Sequence, residues 1–155
     1  MSEFKQRVLD IDRQDWFSSL SMRKSIRLYK LIKLENYVEP YTYLVDHFYQ
    51  RKYIAKLRCG VLEVRVNKGR LKNIVYNERI CKFCSDEMVD DEIHFIFNCS
   101  FHNSLRINIF PEFFLNNDVD VNQRLQVLFS SNSKAIFISL ARFIMLALRD
   151  RRDVS

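Results

Sequence analysis

The sequence predicts a mainly α-helical protein that folds as a single domain. Only two glycines and two prolines interrupt its 155 residues, whereas a β-sandwich or β-barrel needs many turns. Hydrophobic residues make up 48% of the chain, which is enough for one compact core at this length. Several stretches also repeat apolar residues at helical spacing. Together these observations favour a helical domain.

Two helices are predicted in the amino-terminal part. The first spans about residues 13–36, and Pro40 prevents its continuation because proline disfavours helix in the residue before it. The second spans about residues 41–58 and ends before Gly60. The valine-rich residues that follow alternate in polarity, so we expect at most a short hairpin near residues 61–76.

The carboxy-terminal part contains three more predicted helices. The first spans about residues 90–109, the second about residues 121–130 and the third about residues 133–150. Within the third, residues 135–148 are almost continuously apolar, but a membrane-spanning helix needs about 20 such residues. We therefore expect no membrane partner. A helix of this kind is either central to a core or docked on another protein.

Positive charge is concentrated in one block of the chain. Residues 51–82 contain ten Lys and Arg against two acidic residues, whereas the whole chain has a net charge of +6. We predict a helical amino-terminal part (1–56), a basic module (57–102) and a helical carboxy-terminal part (103–155). The last part is expected to pack on the first within one domain.

Four residues of the basic module have the spacing C-x2-C-x9-H-x4-C, namely Cys81, Cys84, His94 and Cys99. Thiolate sulfur and imidazole nitrogen are ligands that Zn²⁺ prefers, and closed tetrahedral Cys3His sites are common. The acidic run over residues 86–92 favours the first turn of a helix, whose dipole it complements. The spacing therefore predicts one structural zinc ion in a small Cys3His zinc knuckle.

The four cysteines allow other interpretations. A redox Cys-x-x-Cys pair is typical of a βαβ unit, which the surrounding pattern does not predict, and a disulfide framework is typical of secreted proteins. Buried free thiols are the simplest alternative. His102 also lies near Cys99 and could replace His94 as the fourth ligand, although His94 fits the spacing better. Cys59, beside Gly60, is predicted to be a small core side chain.

The filled coordination predicts that the zinc is not catalytic. Four protein ligands leave no position for water or substrate on a tetrahedral ion. The H-x-E and P-C-x-x-C segments of zinc deaminases are also missing from the sequence. We therefore expect that the chain is not an enzyme.

The basic block predicts contact with RNA or DNA. Clustered Lys and Arg attract phosphate backbones through Coulomb energy and through release of counterions. The residues expected to make these contacts are Arg51, Lys52, Lys56, Arg58, Arg65, Lys68, Arg70, Lys72 and Lys82. The alternative is a protein-interaction or oligomerisation module that docks through the apolar helix over residues 135–148.

The metal-ligand motif lies within two distinctive segments, NERICKFC at residues 77–84 and DDEIHFIFNC at residues 90–99. They resemble the "ERxCxxC" and "DExHFLFxC" segments of the zinc-binding region that follows the polymerase in reverse transcriptases of non-LTR retrotransposons. The resemblance covers about residues 57–102. It implies that the four motif residues bind the metal and that the region helps to hold template RNA or target DNA.

The resemblance does not include the catalytic parts of the family's proteins. These 155 residues lack the aspartate-bearing catalytic motif of the family's polymerase and lack any endonuclease. The implied partners are therefore a reverse transcriptase or further copies of this chain. Reduced cysteines and an amino terminus without an apolar signal core predict an intracellular protein, nuclear or cytoplasmic and not secreted.

Overall fold

The computed structural model describes residues 3–23, 26–33 and 37–154. Its α-helices are α1 (Glu3–Met22), α2 (Arg27–Ile32), α3 (Tyr41–Leu44), α4 (Phe48–Arg58), α5 (Arg65–Leu71), α6 (Asn103–Ile109), α7 (Glu112–Leu115), α8 (Val121–Ser130) and α9 (Lys134–Asp153). Single turns of 3-10 helix lie at Tyr76–Glu78 and Ser100–His102, and a π-helical turn lies at His94–Asn98. The described residues form no β-strand, and their one isolated antiparallel bridge joins Ile80 and Val89. The prediction of a mainly α-helical single domain is confirmed.

Helix α9 is the central element of the hydrophobic core. It packs on α4 and α6, and α8 packs on both α2 and α9. Phe137, Leu140, Phe143 and Ile144 of α9 are completely buried. Other helices of the same chain therefore cover the apolar faces of α9. The alternative that residues 135–148 form a free docking face is wrong.

The length and apolar character of its helices decide whether a chain can cross a membrane. No single helix within residues 3–23, 26–33 and 37–154 is long and apolar enough to cross a membrane. Helices α8 and α9 reach that length and composition only when taken together, and they are bent by 114° at the break between them.

Helix boundaries in the amino-terminal part differ from the prediction. The expected helix over residues 13–36 is two helices, α1 and α2, and residues 24–25 and 34–36 lie outside the described residues. Helix α1 has no buried residue, whereas α2 buries Leu28 and Ile32 and contacts α4 and α8. The expected helix over residues 41–58 is also interrupted, because the chain becomes extended at Val45 between α3 and α4.

Residues 61–76, for which the sequence predicts at most a short hairpin, form no strand and instead include helix α5. The first amide groups of a helix need acceptors from outside the helix, and here Asp90 supplies them. The Arg65 amide donates to Asp90 Oδ2 at 2.8 Å, and the Val66 amide donates to the Asp90 carbonyl oxygen at 3.1 Å. Val64 and Val66 are both buried, so their alternation reflects contact with the core and not a strand.

Helix α8 begins where the sequence predicts because Asp120 caps it. Asp120 Oδ2 accepts hydrogen bonds from the amides of Asn122 at 2.7 Å and Gln123 at 3.2 Å. We expect Asp120→Ala to lower the free energy of unfolding by about 1 kcal/mol, as measured by urea denaturation. The control is Asp118→Ala, an exposed acid that caps no helix, with an expected change below about 0.5 kcal/mol. Equal changes in the two variants would contradict the capping role.

Candidate metal centre

The first two cysteines lie in a tight turn that a short antiparallel pairing closes. The Cys81 amide donates to the carbonyl oxygen of Met88 at 2.8 Å, and the Asp90 amide donates to that of Arg79 at 2.9 Å. These bonds bring the residues before Cys81 beside the residues that lead to the next ligands. The turn that contains Cys84 is therefore fixed at both ends.

Arg79 fixes this turn against α5. Its guanidinium donates to the carbonyl oxygen of Ile74 at 2.9 and 2.6 Å and to that of Val66 at 2.8 Å. Gly69 leaves room for the side chain, since a Cβ atom there would lie 2.8 Å from Arg79 Cδ. Arg79 belongs to the basic block in sequence, but its guanidinium donates hydrogen bonds to backbone carbonyl oxygens of the protein itself.

The other two ligands lie at the two ends of the π-helical turn. The Cys99 amide donates to the carbonyl oxygen of His94 at 2.7 Å, five residues back along the chain. On a regular α-helix, residues five apart point about 140° away from each other. The wider π-helical turn reduces this angle, so His94 and Cys99 face the same side. Such turns are rare and occur frequently at functional sites.

Asp91 fixes the start of the π-helical turn. Its Oδ1 atom accepts the hydrogen bond of the His94 amide at 2.9 Å, and its Oδ2 atom accepts that of the Tyr76 hydroxyl, also at 2.9 Å. A carboxylate that accepts from a free amide at the start of a helical turn stabilises it. Within the acidic run over residues 86–92, it is therefore Asp91 that stabilises the first turn of the helical segment.

The four ligand atoms form a compact cluster and lie within 4.8 Å of one another. Cys81 Sγ is 3.9 Å from Cys99 Sγ, and Cys84 Sγ is 3.4 Å from His94 Nε2. In a tetrahedral site with metal–sulfur distances of about 2.3 Å and metal–nitrogen distances of about 2.0 Å, two sulfurs lie about 3.8 Å apart and sulfur and nitrogen about 3.5 Å. The cluster therefore fits one tetrahedral metal ion.

His94, and not His102, belongs to this cluster. His102 Nε2 instead accepts a hydrogen bond from Arg151 Nε at 3.0 Å. Burial and the positive charge of Arg151 lower the pKa of His102 to about 3, so its ring stays neutral and keeps an acceptor nitrogen. Cys59 is exposed and lies outside the cluster, so the prediction that it is a core side chain is wrong.

Arg151, near the end of α9, joins the cluster to the core. Its Nη1 atom lies 2.9 Å from Asp90 Oδ1, and its Nη2 atom lies 3.8 Å from the sulfurs of both Cys81 and Cys99. The guanidinium also lies 4.6 Å from the ring centre of Phe83. Three thiolates around a divalent ion carry one net negative charge, which a neighbouring guanidinium stabilises.

The three thiols differ in acidity. Hydrogen bonding to Cys99 and burial raise the pKa of Cys81 to about 11, and burial raises the pKa of Cys84. The same hydrogen bond, with help from the charge of Arg151, lowers the pKa of Cys99. A cation favours the thiolate form of all three and releases their protons when it binds. Metal binding at this site is therefore expected to strengthen as pH rises.

The nine basic residues predicted to contact nucleic acid differ in exposure. Lys52, Lys68, Lys72 and Lys82 are exposed, Arg51, Lys56, Arg65 and Arg70 are half-buried, and Arg58 is buried. Part of the half-buried set is engaged within the protein. For example, Arg51 Nη1 donates to the carbonyl oxygens of Val45 at 2.6 Å and Asp46 at 2.8 Å. The exposed lysines are therefore the better candidates for phosphate contact.

The prediction that Arg58 contacts nucleic acid is wrong. Its side chain is 2% exposed, and Nη2 lies 2.6 Å from Glu39 Oε1. The same carboxylate oxygen lies 2.9 Å from Lys33 Nζ, and the Arg58 guanidinium lies 5.0 Å from the ring centre of Phe129. Buried charges need such partners because they have lost their water. Arg58 stabilises the fold.

Sequence reasoning missed Asp90, Arg106 and Arg151, which are buried charged residues around the ligand cluster. Arg106 fixes the π-helical turn by donating to the carbonyl oxygens of Ile96 at 2.7 Å and Cys99 at 2.9 Å. For Arg151 a signal existed. Arg151 follows the buried residues Leu148, Ala147 and Ile144 by three, four and seven positions. This spacing places it on the same face of α9, which enters the core.

No protein-family model matches this chain, and no significant match to it occurs among the curated proteins or the solved structures. The function therefore has to be inferred from the metal-ligand cluster and the charged surface beside it.

Proposed function

We propose that this protein is a nucleic-acid-binding module whose fold is stabilised by one structural zinc ion. Three thiolates and one imidazole form a soft ligand set, and tetrahedral sites of this composition favour zinc over the harder divalent ions. All four positions of a tetrahedral ion are taken by the protein, so the zinc has a structural and not a catalytic role.

The observation that carries the nucleic-acid proposal is a group of four exposed lysines in the basic block over residues 51–82. Lys52, Lys68, Lys72 and Lys82 are exposed, and none has an ion-pair partner within the part of the chain that the structure describes. The neighbouring Lys56, by contrast, lies 3.9 Å from Glu63. Lysines without an ion-pair partner attract phosphate groups and release the counterions of the nucleic acid.

The metal cluster would organise this surface directly. Lys82 lies between the two ligands Cys81 and Cys84, in the turn that a metal ion would fix. Lys68 lies on α5, whose first amides are held by Asp90 beside the cluster. Zinc binding and nucleic-acid binding are therefore expected to depend on each other.

The partner is inferred from the resemblance of the motif. The segments around the four ligands resemble the zinc-binding region that follows the polymerase in non-LTR retrotransposon reverse transcriptases. In that family the region is thought to help hold template RNA or target DNA. We propose the same class of ligand here, bound through the phosphate backbone, with a reverse transcriptase or a second copy of the chain as a protein partner.

Fluorescence anisotropy tests this proposal, with labelled single-stranded RNA, single-stranded DNA and duplex DNA titrated at several salt concentrations. We expect binding at about 0.1 M salt whose affinity falls steeply as salt increases. The variant in which Lys52, Lys68, Lys72 and Lys82 are all replaced by Gln should bind at least tenfold more weakly and show a shallower salt dependence.

A control variant removes two charges from elsewhere on the surface. Arg142 and Arg149 are exposed cations of α9, and Arg142→Gln with Arg149→Gln should change affinity much less. Wild-type protein that contains zinc but shows no salt-sensitive binding at about 0.1 M salt would contradict the proposed function.

A further inference from the structure

A small cationic cavity lies where three separate segments meet, and it is called the seam pocket below. Helix α5, the turn that contains Cys81 and Cys84, and the end of α9 all contribute to its wall. Its volume is about 220 Å³, and it is lined by five cationic and two acidic side chains, together with Phe83 and Leu148. Segments distant in sequence thus bring positive charge to one point.

The two acids of the seam pocket already have partners. Asp90 is paired with the buried Arg151, and Glu63 lies 3.9 Å from Lys56. The four remaining cations of the lining have no ion-pair partner in residues 3–23, 26–33 and 37–154, and they are Arg65, Lys68, Lys82 and Arg152. Like charges gathered around one cavity repel one another. An anion in the cavity would remove this cost.

Arg65, which lines the seam pocket, also carries a donor that lacks an acceptor. Its Nε atom is buried and has no hydrogen-bond acceptor among the described residues. Buried polar groups are nearly always hydrogen-bonded, so an exception requires an explanation. The Arg65 guanidinium has no ion pair among the described residues, so an oxyanion in the seam pocket would supply one.

The size of the cavity limits the ligand to a small group. Pockets for small organic molecules usually have volumes of about 300–1,000 Å³, and the seam pocket is smaller. A tetrahedral oxyanion presents several acceptor oxygens, which suits Arg and Lys side chains that converge from different directions. A phosphate group meets these requirements.

An aromatic surface adjoins the seam pocket. Phe83 and Phe101 pack with their ring centres 5.7 Å apart, and Phe101 is 39% exposed. Both residues line a second cavity, of about 530 Å³, which shares Lys82 and Phe83 with the seam pocket. Exposed aromatic rings next to a phosphate site can stack on bases, but only on bases that are not already stacked in a duplex.

We propose that the seam pocket binds one phosphate group of a single-stranded nucleic acid, with an adjacent base stacked on Phe101. This inference rests on the proposed function and assigns a defined contact to it. The surface lysines attract the strand, and the seam pocket with its aromatic surface fixes one nucleotide beside the metal centre.

The test compares two pairs of substitutions in the full zinc-loaded protein. The pocket pair is Lys68→Gln with Arg152→Gln, and the control pair is Lys52→Gln with Lys72→Gln, which removes the same charge outside the pocket. With labelled single-stranded DNA of about 12 nucleotides at about 0.1 M salt, the pocket pair should bind about tenfold more weakly than the control pair. Phe101→Leu should weaken single-strand binding about tenfold and leave duplex binding unchanged.

Inorganic pyrophosphate tests the pocket without the rest of the strand. Titration into the wild-type protein should shift the amide resonances of Lys68 and Lys82, and these shifts should be absent in the pocket pair. The absence of shifts in the wild type would overturn the pocket.

The anisotropy outcomes separate the two proposals. Equal losses in the pocket and control pairs, with zinc retained in both, would overturn the seam pocket and leave nucleic-acid binding standing. Absence of binding by the wild type would overturn the proposed function itself. Duplex binding as tight as single-strand binding, with no effect of Phe101→Leu, would overturn the stacked base.

Discussion

Replacement of Cys99 by serine is expected to abolish stoichiometric zinc binding and to lower the free energy of unfolding by more than about 5 kcal/mol. Structural zinc contributes about 10–16 kcal/mol of apparent binding free energy in small zinc-finger domains. Cys99 is completely buried and lies 3.9 Å from the Cys81 sulfur, so no water-exposed group can take its place. Elemental analysis and chemical denaturation measure the two effects.

Cys59→Ser provides the matched control for this prediction. Cys59 is exposed and lies outside the ligand cluster, so its variant should keep one zinc and change stability by less than about 0.5 kcal/mol. Wild-type protein treated with a strong chelator should become about as unstable as Cys99→Ser. If Cys99→Ser keeps both its metal and its stability, the metal does not stabilise this fold.

Replacement of Arg151 by methionine is expected to lower the free energy of unfolding by about 3–5 kcal/mol. Methionine keeps much of the side-chain volume but leaves the Asp90 carboxylate, which is fully buried, without its cation. It also removes the N–H groups that lie 3.8 Å from the sulfurs of Cys81 and Cys99. Residues that act on metal ligands in this way typically change metal affinity by about 10- to 100-fold.

Two further variants test the Arg151 prediction. Arg149→Met changes an exposed arginine of the same helix and should alter stability by less than about 0.5 kcal/mol. The double variant Asp90→Asn with Arg151→Met should lose less stability than the sum of its single variants, because the two residues form one pair. Strictly additive losses would show that Asp90 and Arg151 do not interact.

Local signals in the sequence were sufficient for part of the fold. Helix α8 has the predicted bounds. Its start is fixed by Asp120, the residue just before the helix, which caps the first turn. The central helix was recognised because its apolar residues form a long continuous run. The three cysteine ligands were also predictable, since the spacing of Cys81, Cys84 and Cys99 is visible in the chain itself.

Long-range contacts determine the features that were missed. Helix α5 is not predicted because the acceptors for its first amides come from Asp90, 25 residues later. Arg58 was assigned to the surface because its partner Glu39 lies on a different segment. Arg152 was omitted from the basic surface because it is remote in sequence from the block over residues 51–82, although it lines the same cavity as Lys68.

The π-helical turn explains why the fourth ligand was the least certain from sequence. An interval of five residues does not place two side chains on one face of an α-helix. From the sequence, His102 therefore remains an alternative to His94 as the fourth metal ligand. The hydrogen bond from the Cys99 amide to the His94 carbonyl oxygen creates the wider turn that solves this problem. This turn is held by side chains on either side of it, Asp91 at its start and Arg106 after its end.

The zinc content of the reduced protein, measured together with the absorption spectrum after cobalt substitution, tests the central claim most directly. We expect about one zinc per chain and a cobalt spectrum typical of tetrahedral coordination with thiolate ligands. The spectrum should change in His94→Ala and persist in His102→Gln, because only His94 lies in the ligand cluster. Fully reduced protein with no bound zinc and no tetrahedral cobalt spectrum would contradict the account.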